Sequence, residues 1–92
     1  MTDFSEEELL EWAKGAYIGK FENDEPTPIV KLGGNVYMLE LWHGPTCAFK
    51  DMALQILPRF LVKASEKAGD GKKTVILTAT SGDTGKAALE GF

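Results

Sequence analysis

The feature that most constrains this sequence is an apolar, β-branched run from Thr74 to Thr80, which reads TVILTAT. Such a run is too apolar to leave one face in water, so it predicts a buried strand of the kind found in parallel sheets. A helical pattern precedes the run, and a glycine-containing turn with a second helical pattern follows it. This alternation of strand and helix is typical of a doubly wound α/β sheet.

The 92 residues contain too few strands to complete such a sheet, which needs cover on both faces. We therefore expect an incomplete piece of a doubly wound α/β fold. Residues 1–92 would form one partial domain, truncated relative to a longer protein. A domain of this size buries only about 60% of its unfolded surface. The isolated chain is accordingly expected to be catalytically inactive and to persist as a self-associated or weakly packed unit.

The first half of the chain predicts a helix and a hairpin. Ser5, with Glu8 three positions later, has the pattern of a capped helix start, and helical spacing of apolar residues continues to Tyr17. A polar, proline-containing loop follows. The segments from Ile29 to Leu32 and from Val36 to Leu41 are separated by a Gly-Gly-Asn turn and predict a β-hairpin.

The second half predicts a helix from Asp51 to Lys67. Pro58 lies inside this helix, and proline removes a backbone donor and clashes with the preceding turn. We therefore expect a kink or a split near Leu57. Gly69, in a Gly-Asp-Gly turn, should end the helix.

Composition narrows the classes of function. Fourteen acidic and ten basic side chains give a net charge of -4, and no stripe of Lys and Arg offers a surface for nucleic acid. The apolar stretches are far shorter than the roughly 20 residues of a membrane span. One cysteine, Cys47, cannot form an internal disulfide, and the start of the chain lacks the pattern of a secretory signal. We expect a cytoplasmic protein without a metal site.

The first candidate site is the segment LWHGPTCAFKD, a Gly/Pro turn that delivers Lys50 to the start of a helix. Partial positive charge at a helix N-terminus disfavours an ammonium group there. The neutral amine is the form that attacks a carbonyl to make a Schiff base. Asp51, able to cap the helix, and the apolar Phe49 support a catalytic role for Lys50, against the alternative of a solvated surface lysine.

The second candidate site is the hydroxyl- and glycine-rich loop from Thr80 to Gly85, between the predicted strand and the last helix. Backbone amides in such a loop, with the hydroxyls of Ser81 and Thr84, can hold a phosphate or a carboxylate. The alternative is an ordinary helix start capped by Ser81 or Asp83.

A nucleotide-binding P-loop is rejected on spacing. That pattern needs a glycine five residues before the final glycine, where Thr80 stands, and a Ser or Thr after the lysine, where Ala87 stands.

Together, the segments HGPTCAFKD and TSGDTG resemble the cofactor-lysine motif and the substrate loop of the threonine synthase family. Cys47 stands where a leucine is more usual in that family. The family also has a further N-terminal segment, and a large C-terminal part with the phosphate cradle, that this sequence lacks. The resemblance implies the tryptophan-synthase-β-like fold (fold type II) and the cofactor pyridoxal 5'-phosphate (PLP).

The resemblance also implies the roles of individual residues. Lys50 would carry PLP as a Schiff base, with Phe49 and Asp83 near the cofactor. Ser81, Gly82 and Thr84 would hold the substrate carboxylate. The parent protein would be a lyase that converts O-phospho-L-homoserine and water into L-threonine and phosphate.

Other readings stay open at this point. A non-catalytic anion-binding module could use the loop from Ser81 to Gly85, and a purely structural piece would bind no ligand. Among enzymes, a related PLP-dependent phospholyase is the nearest alternative. His43 could approach a substrate phosphate, but we favour a turn residue satisfied by backbone groups. Cys47 is expected to be a buried, space-filling residue.

Overall fold

A computed structural model describes residues 3–92. Its elements, in chain order, are helix α1 (Glu6–Tyr17), strands β1 (Ile29–Gly33) and β2 (Val36–Leu39), and helices α2 (Asp51–Leu54), α3 (Leu57–Ala68) and α4 (Asp83–Gly91). The strands form an antiparallel hairpin, and α2 packs against both α3 and α4. None of these helices is both long and apolar enough to cross a bilayer.

Helix α1 begins as the sequence predicts. The Ser5 side chain accepts a hydrogen bond from the Glu8 amide at 3.2 Å, and the Glu8 carboxylate accepts one from the Ser5 amide at 3.0 Å. This second bond lowers the pKa of Glu8. Next to the cap, the rings of Phe4, Trp12 and Phe60 meet edge to face with centroids 5.2 to 5.6 Å apart, which fixes α1 against α3.

The predicted hairpin is confirmed, with β2 ending at Leu39 rather than Leu41. Ile29 pairs with Leu39, and the register shifts between Lys31 and Gly33 at a bulge. A two-residue turn separates the strands. All the side chains of both strands are exposed, so the hairpin projects from the helices and contributes little to their core.

The predicted break at Pro58 is also confirmed. Helix α2 ends at Leu54, α3 begins at Leu57, and the proline occupies the first turn of α3, where its missing donor costs nothing. Helix α3 ends at Gly69, which adopts a left-handed conformation with φ 67°.

The core among the described residues is small and partly polar. Its buried members are Ala16, Phe21, Gly44, Thr46, Asp51, Gln55, Pro58, Ala87 and Ala88. Polar contacts join α1 and the loop after it to α2 and its C-cap residue: the Tyr17 hydroxyl donates to the Met52 carbonyl at 2.7 Å, and Lys20 Nζ donates to Gln55 Oε1 at 3.1 Å. Burial raises the pKa of Tyr17, which keeps its hydroxyl protonated as a donor.

The prediction of a buried strand from Thr74 to Thr80 is wrong for this chain. These residues have no regular secondary structure, and Val75 and Leu77 are 77% and 90% exposed. A strand requires a neighbour that pairs with its backbone, and no residue within 3–92 pairs with this segment. The run therefore has the composition of a sheet strand, but no sheet among the described residues buries it.

Replacing Ser5 by Ala tests the start of α1. The change removes the oxygen that accepts the Glu8 amide, and losses of this kind cost about 1 kcal/mol. We expect the free energy of unfolding, measured by urea titration with circular dichroism, to fall by about that amount. Ser5→Thr, which keeps a capping hydroxyl, is the control and should stay close to the unsubstituted protein. Equal losses in both variants would show that the cap does not contribute.

Candidate functional site

The loop from residues 41 to 50 places Lys50 immediately before α2. Successive tight turns shape the loop: the Cys47 amide donates to the Gly44 carbonyl at 3.1 Å, and the Asp51 amide donates to the Ala48 carbonyl at 3.0 Å. Lys50 then occupies the N-cap position with helical backbone angles. The predicted position of Lys50 at a helix start is therefore what the structure shows.

Asp51 holds this loop together from inside. Its side chain is completely buried and accepts two hydrogen bonds from Thr46, one from the backbone amide at 2.8 Å and one from the hydroxyl at 2.6 Å. Gly44 packs directly on the carboxylate, since a Cβ there would lie 2.5 to 3.0 Å from its atoms. The prediction that Asp51 caps the helix is wrong, because the carboxylate turns back to Thr46 and α2 has no side-chain cap.

The Lys50 side chain reaches α4. Its Nζ donates a hydrogen bond to Thr84 Oγ1, and it lies 5.9 Å from the centre of the exposed Phe49 ring. Helix α2 has only four residues, so its dipole is weaker than the long predicted helix would supply. Contacts with Thr84 and Phe49 therefore influence the Lys50 side chain more than the dipole of α2 does.

A second lysine links the two candidate segments, and sequence reasoning missed it. Lys86 Nζ donates to the Thr46 carbonyl at 3.2 Å, while Lys50 bonds in the opposite direction to Thr84. The sequence could have indicated this contact, because Lys86 lies one turn into α4, at the same end of that helix as the Thr80 to Gly85 loop. The crossed pair brings the loop of residues 41–50, here called the lysine loop, and the Thr80 to Gly85 loop into one site.

The loop before α4 differs from the predicted helix start at its cap. Gly82 is the N-cap residue, with φ 144°, and α4 has no side-chain cap among the described residues. The alternative prediction of a cap by Ser81 or Asp83 is therefore wrong. The Gly82 amide donates to Thr80 Oγ1 at 3.0 Å and is already engaged. Ser81 and Asp83 are exposed beside it.

The two remaining candidates differ from expectation. His43 is satisfied by carboxylates rather than by backbone groups: Nδ1 lies 2.7 Å from Glu22 and Nε2 lies 2.6 Å from Glu40. Cys47 is exposed, with φ 60°, because the turn around it forces its backbone into the left-handed region. It is not the buried filler that the sequence suggested.

Comparisons with known proteins find threonine synthases and a protein named for its likeness to them. The chain is 53% identical to threonine synthase of Pseudomonas aeruginosa over 73 residues, which is 79% of this chain and 15% of that protein. It is 40% identical to human threonine synthase-like 1 over 91 residues, 99% of this chain and 12% of that protein. The chain is also similar in structure to part of PLP-bound threonine synthase from Brucella melitensis, with a TM-score of 0.83 at 42% identity over 94% of this chain and 18% of that one. No family model matches.

Replacing Thr46 by Val tests the contact that holds the lysine loop. The change removes one of the two bonds to a buried carboxylate, and hydrogen bonds to charged groups contribute about 1.5 to 3 kcal/mol. We expect the free energy of unfolding to fall by that amount in denaturant titrations. Thr27→Val is the matched control, since no described residue hydrogen-bonds the Thr27 side chain. A Thr46→Val loss no larger than the control would contradict the assignment.

Proposed function

We infer that this chain, a member of the threonine synthase family by sequence and fold, supplies the cofactor lysine and part of the substrate site of a PLP-dependent lyase. The reaction we propose for the whole protein converts O-phospho-L-homoserine and water into L-threonine and phosphate. The observation that carries this proposal is the contact between Lys50 and Thr84. It joins an amine to the loop before α4, 34 residues away, for which we propose anion binding.

The residues of this chain fit PLP. Lys50 offers a partly buried primary amine, and the exposed face of Phe49 beside it suits a planar ring. When bound, PLP withdraws electrons from the bonds around the substrate α-carbon. Lys50 Nζ would bond to the cofactor's carbonyl carbon and, once free again, would accept and donate protons. Asp83, exposed at the first position of α4, would approach the cofactor's edge.

The loop before α4 would bind the substrate carboxylate. The Thr84 hydroxyl accepts from Lys50 here, and it becomes a donor to an anion once the lysine is engaged by the cofactor. The exposed Ser81 adds a second hydroxyl, and the uncapped first turn of α4 adds backbone amides. Because the Gly82 amide is bonded to Thr80, we propose that Gly82 contributes by allowing close approach rather than by donating.

The isolated chain would have no activity of its own. It spans between 12% and 15% of the length of the two curated relatives described above, so most of their structure has no counterpart in it. A non-catalytic anion-binding module would use the same loop, yet it has no need for a lysine aimed at Thr84. The Lys50 contact therefore favours the enzyme.

Borohydride trapping tests the role of Lys50. In a full-length protein that carries this segment, reduction in the presence of PLP should attach a pyridoxyl group to Lys50, located by peptide mass spectrometry. Lys50→Ala should remove both this label and the visible absorbance of the bound cofactor. Lys86→Ala, which changes the other amine at the site, should keep both. A label on Lys86, or unchanged absorbance in Lys50→Ala, would move the cofactor lysine elsewhere.

Replacing Thr84 by Val separates substrate from cofactor. The change removes one hydroxyl at nearly constant volume, and a charge-assisted hydrogen bond is worth about 1.5 to 3 kcal/mol. Affinity for O-phospho-L-homoserine should therefore fall about 10- to 100-fold in steady-state kinetics, while PLP still binds. Thr84→Ser should restore most of the affinity. Loss of PLP binding with unchanged substrate affinity in the remaining holoenzyme would assign the loop to the cofactor.

The same kinetics distinguish the second candidate function. Both enzymes would release phosphate from O-phospho-L-homoserine, but a phospholyase would do so without forming threonine. Quantifying threonine and phosphate together therefore decides between them.

A further inference from the structure

His43 lies between two carboxylates that belong to different segments of the chain. Its Nδ1 is 2.7 Å from Glu22 Oε2, in the loop after α1, and its Nε2 is 2.6 Å from Glu40 Oε2, just after β2. The His43 side chain is only 11% exposed, against 68% for Glu22 and 20% for Glu40. Both ring nitrogens are therefore used, at distances typical of charge-assisted bonds.

This arrangement favours the protonated, positively charged form of the His43 ring. An ionised carboxylate can only accept hydrogen bonds, and a neutral imidazole has one N–H and one lone pair. Both contacts are hydrogen bonds only when both nitrogens carry protons. The hydrogen bonds to Glu22 and to Glu40 accordingly raise the pKa of His43 above its ordinary 6.5.

The carboxylates connect the ring to the rest of the site. Glu22 follows the buried Phe21, and its amide donates to the His43 carbonyl at 3.0 Å. The Glu40 amide donates to the Pro28 carbonyl at 3.0 Å, at the base of the hairpin. His43 itself directly precedes Gly44, the residue packed on the Asp51 carboxylate. One ring thus joins the loop after α1, the hairpin and the start of the lysine loop.

We propose that His43 is a positioning residue whose imidazolium form fixes the lysine loop to the two segments that carry Glu22 and Glu40. Loss of the proton breaks one of the two bonds and loosens the loop. This contribution is fully present below pH 6.5 and disappears as the pH rises through the higher pKa of the folded state. Among the described residues, the titratable groups in contact with the ring are those two glutamates, and its aromatic neighbour, Trp42, is uncharged.

The direct test is an NMR titration of the His43 ring in a full-length holoprotein that carries this segment, with the signal assigned by its loss in His43→Gln. The midpoint should lie above 6.5 and should fall in Glu22→Gln and in Glu40→Gln. Glu25→Gln, an exposed glutamate of the same loop, is the matched control and should leave it unchanged. A wild-type midpoint at or below 6.5 would overturn the proposal.

A second measurement reports on the loop itself. Hydrogen exchange of residues 20–24 and 44–48, corrected for the intrinsic effect of pH, should rise about tenfold as His43 loses its proton. In Glu40→Gln this rise should occur at a lower pH, together with the ring midpoint. Exchange that does not follow the ring titration would reduce His43 to a local contact and overturn its positioning role.

The consequence for Lys50 rests on the proposed function, and a third measurement separates the two. If Lys50 carries PLP, the alkaline limb of kcat/KM should shift in Glu40→Gln by the same amount as the ring midpoint. Absence of the pyridoxyl label on Lys50 would refute the proposed function and leave the titration and exchange results standing. A labelled Lys50 with an unshifted alkaline limb would refute the role of His43 alone.

Discussion

The buried carboxylate of Asp51 is the interaction on which the candidate site depends. A charge removed from water must be compensated, and here Thr46 provides both bonds. Those bonds close the loop between Thr46 and Asp51, so the residue just before Asp51, Lys50, emerges at a fixed place and angle. Gly44 is required for the same reason, since any side chain there would meet the carboxylate.

The site is shared between two segments that are far apart in the sequence. Lys50 crosses to Thr84 in one direction, and Lys86 crosses to Thr46 in the other. Helices α2 and α4 pack against each other beneath these contacts, with Asp51 and Ala87 among the buried residues. A small core therefore holds Lys50 next to the loop from Thr80 to Gly85, the two parts for which we propose Schiff-base formation and carboxylate binding.

The sequence patterns correctly predicted the features that depend on neighbouring residues in the chain. The cap at Ser5, the break at Pro58 and the end of α3 at Gly69 each depend on residues within one helical turn, and each is found in place. The position of Lys50 at a helix start followed in the same way. The similarity to threonine synthases in sequence and fold confirms the expected family and its α/β class, although residues 3–92 form no parallel sheet.

What the sequence did not predict depends on contacts between distant segments. The partners of His43 include Glu22, 21 residues earlier, and no local pattern indicates that pair. The role of Asp51 was assigned to the nearest helix because local rules favour caps, while the folded loop offered Thr46 instead. Burial of the run from Thr74 to Thr80 was inferred from composition, yet burial needs neighbours, and composition cannot supply them.

The exposed run also has a composition that matters for aggregation. An uncharged, β-branched stretch without proline, such as the one around Val75 and Leu77, is the kind of segment that pairs between molecules. Lys72 and Lys73 directly precede it, and neighbouring cations on an open strand edge repel a second copy aligned alongside. Charged residues beside such a run are the usual gatekeepers against aggregation, and salt screens charges of this kind.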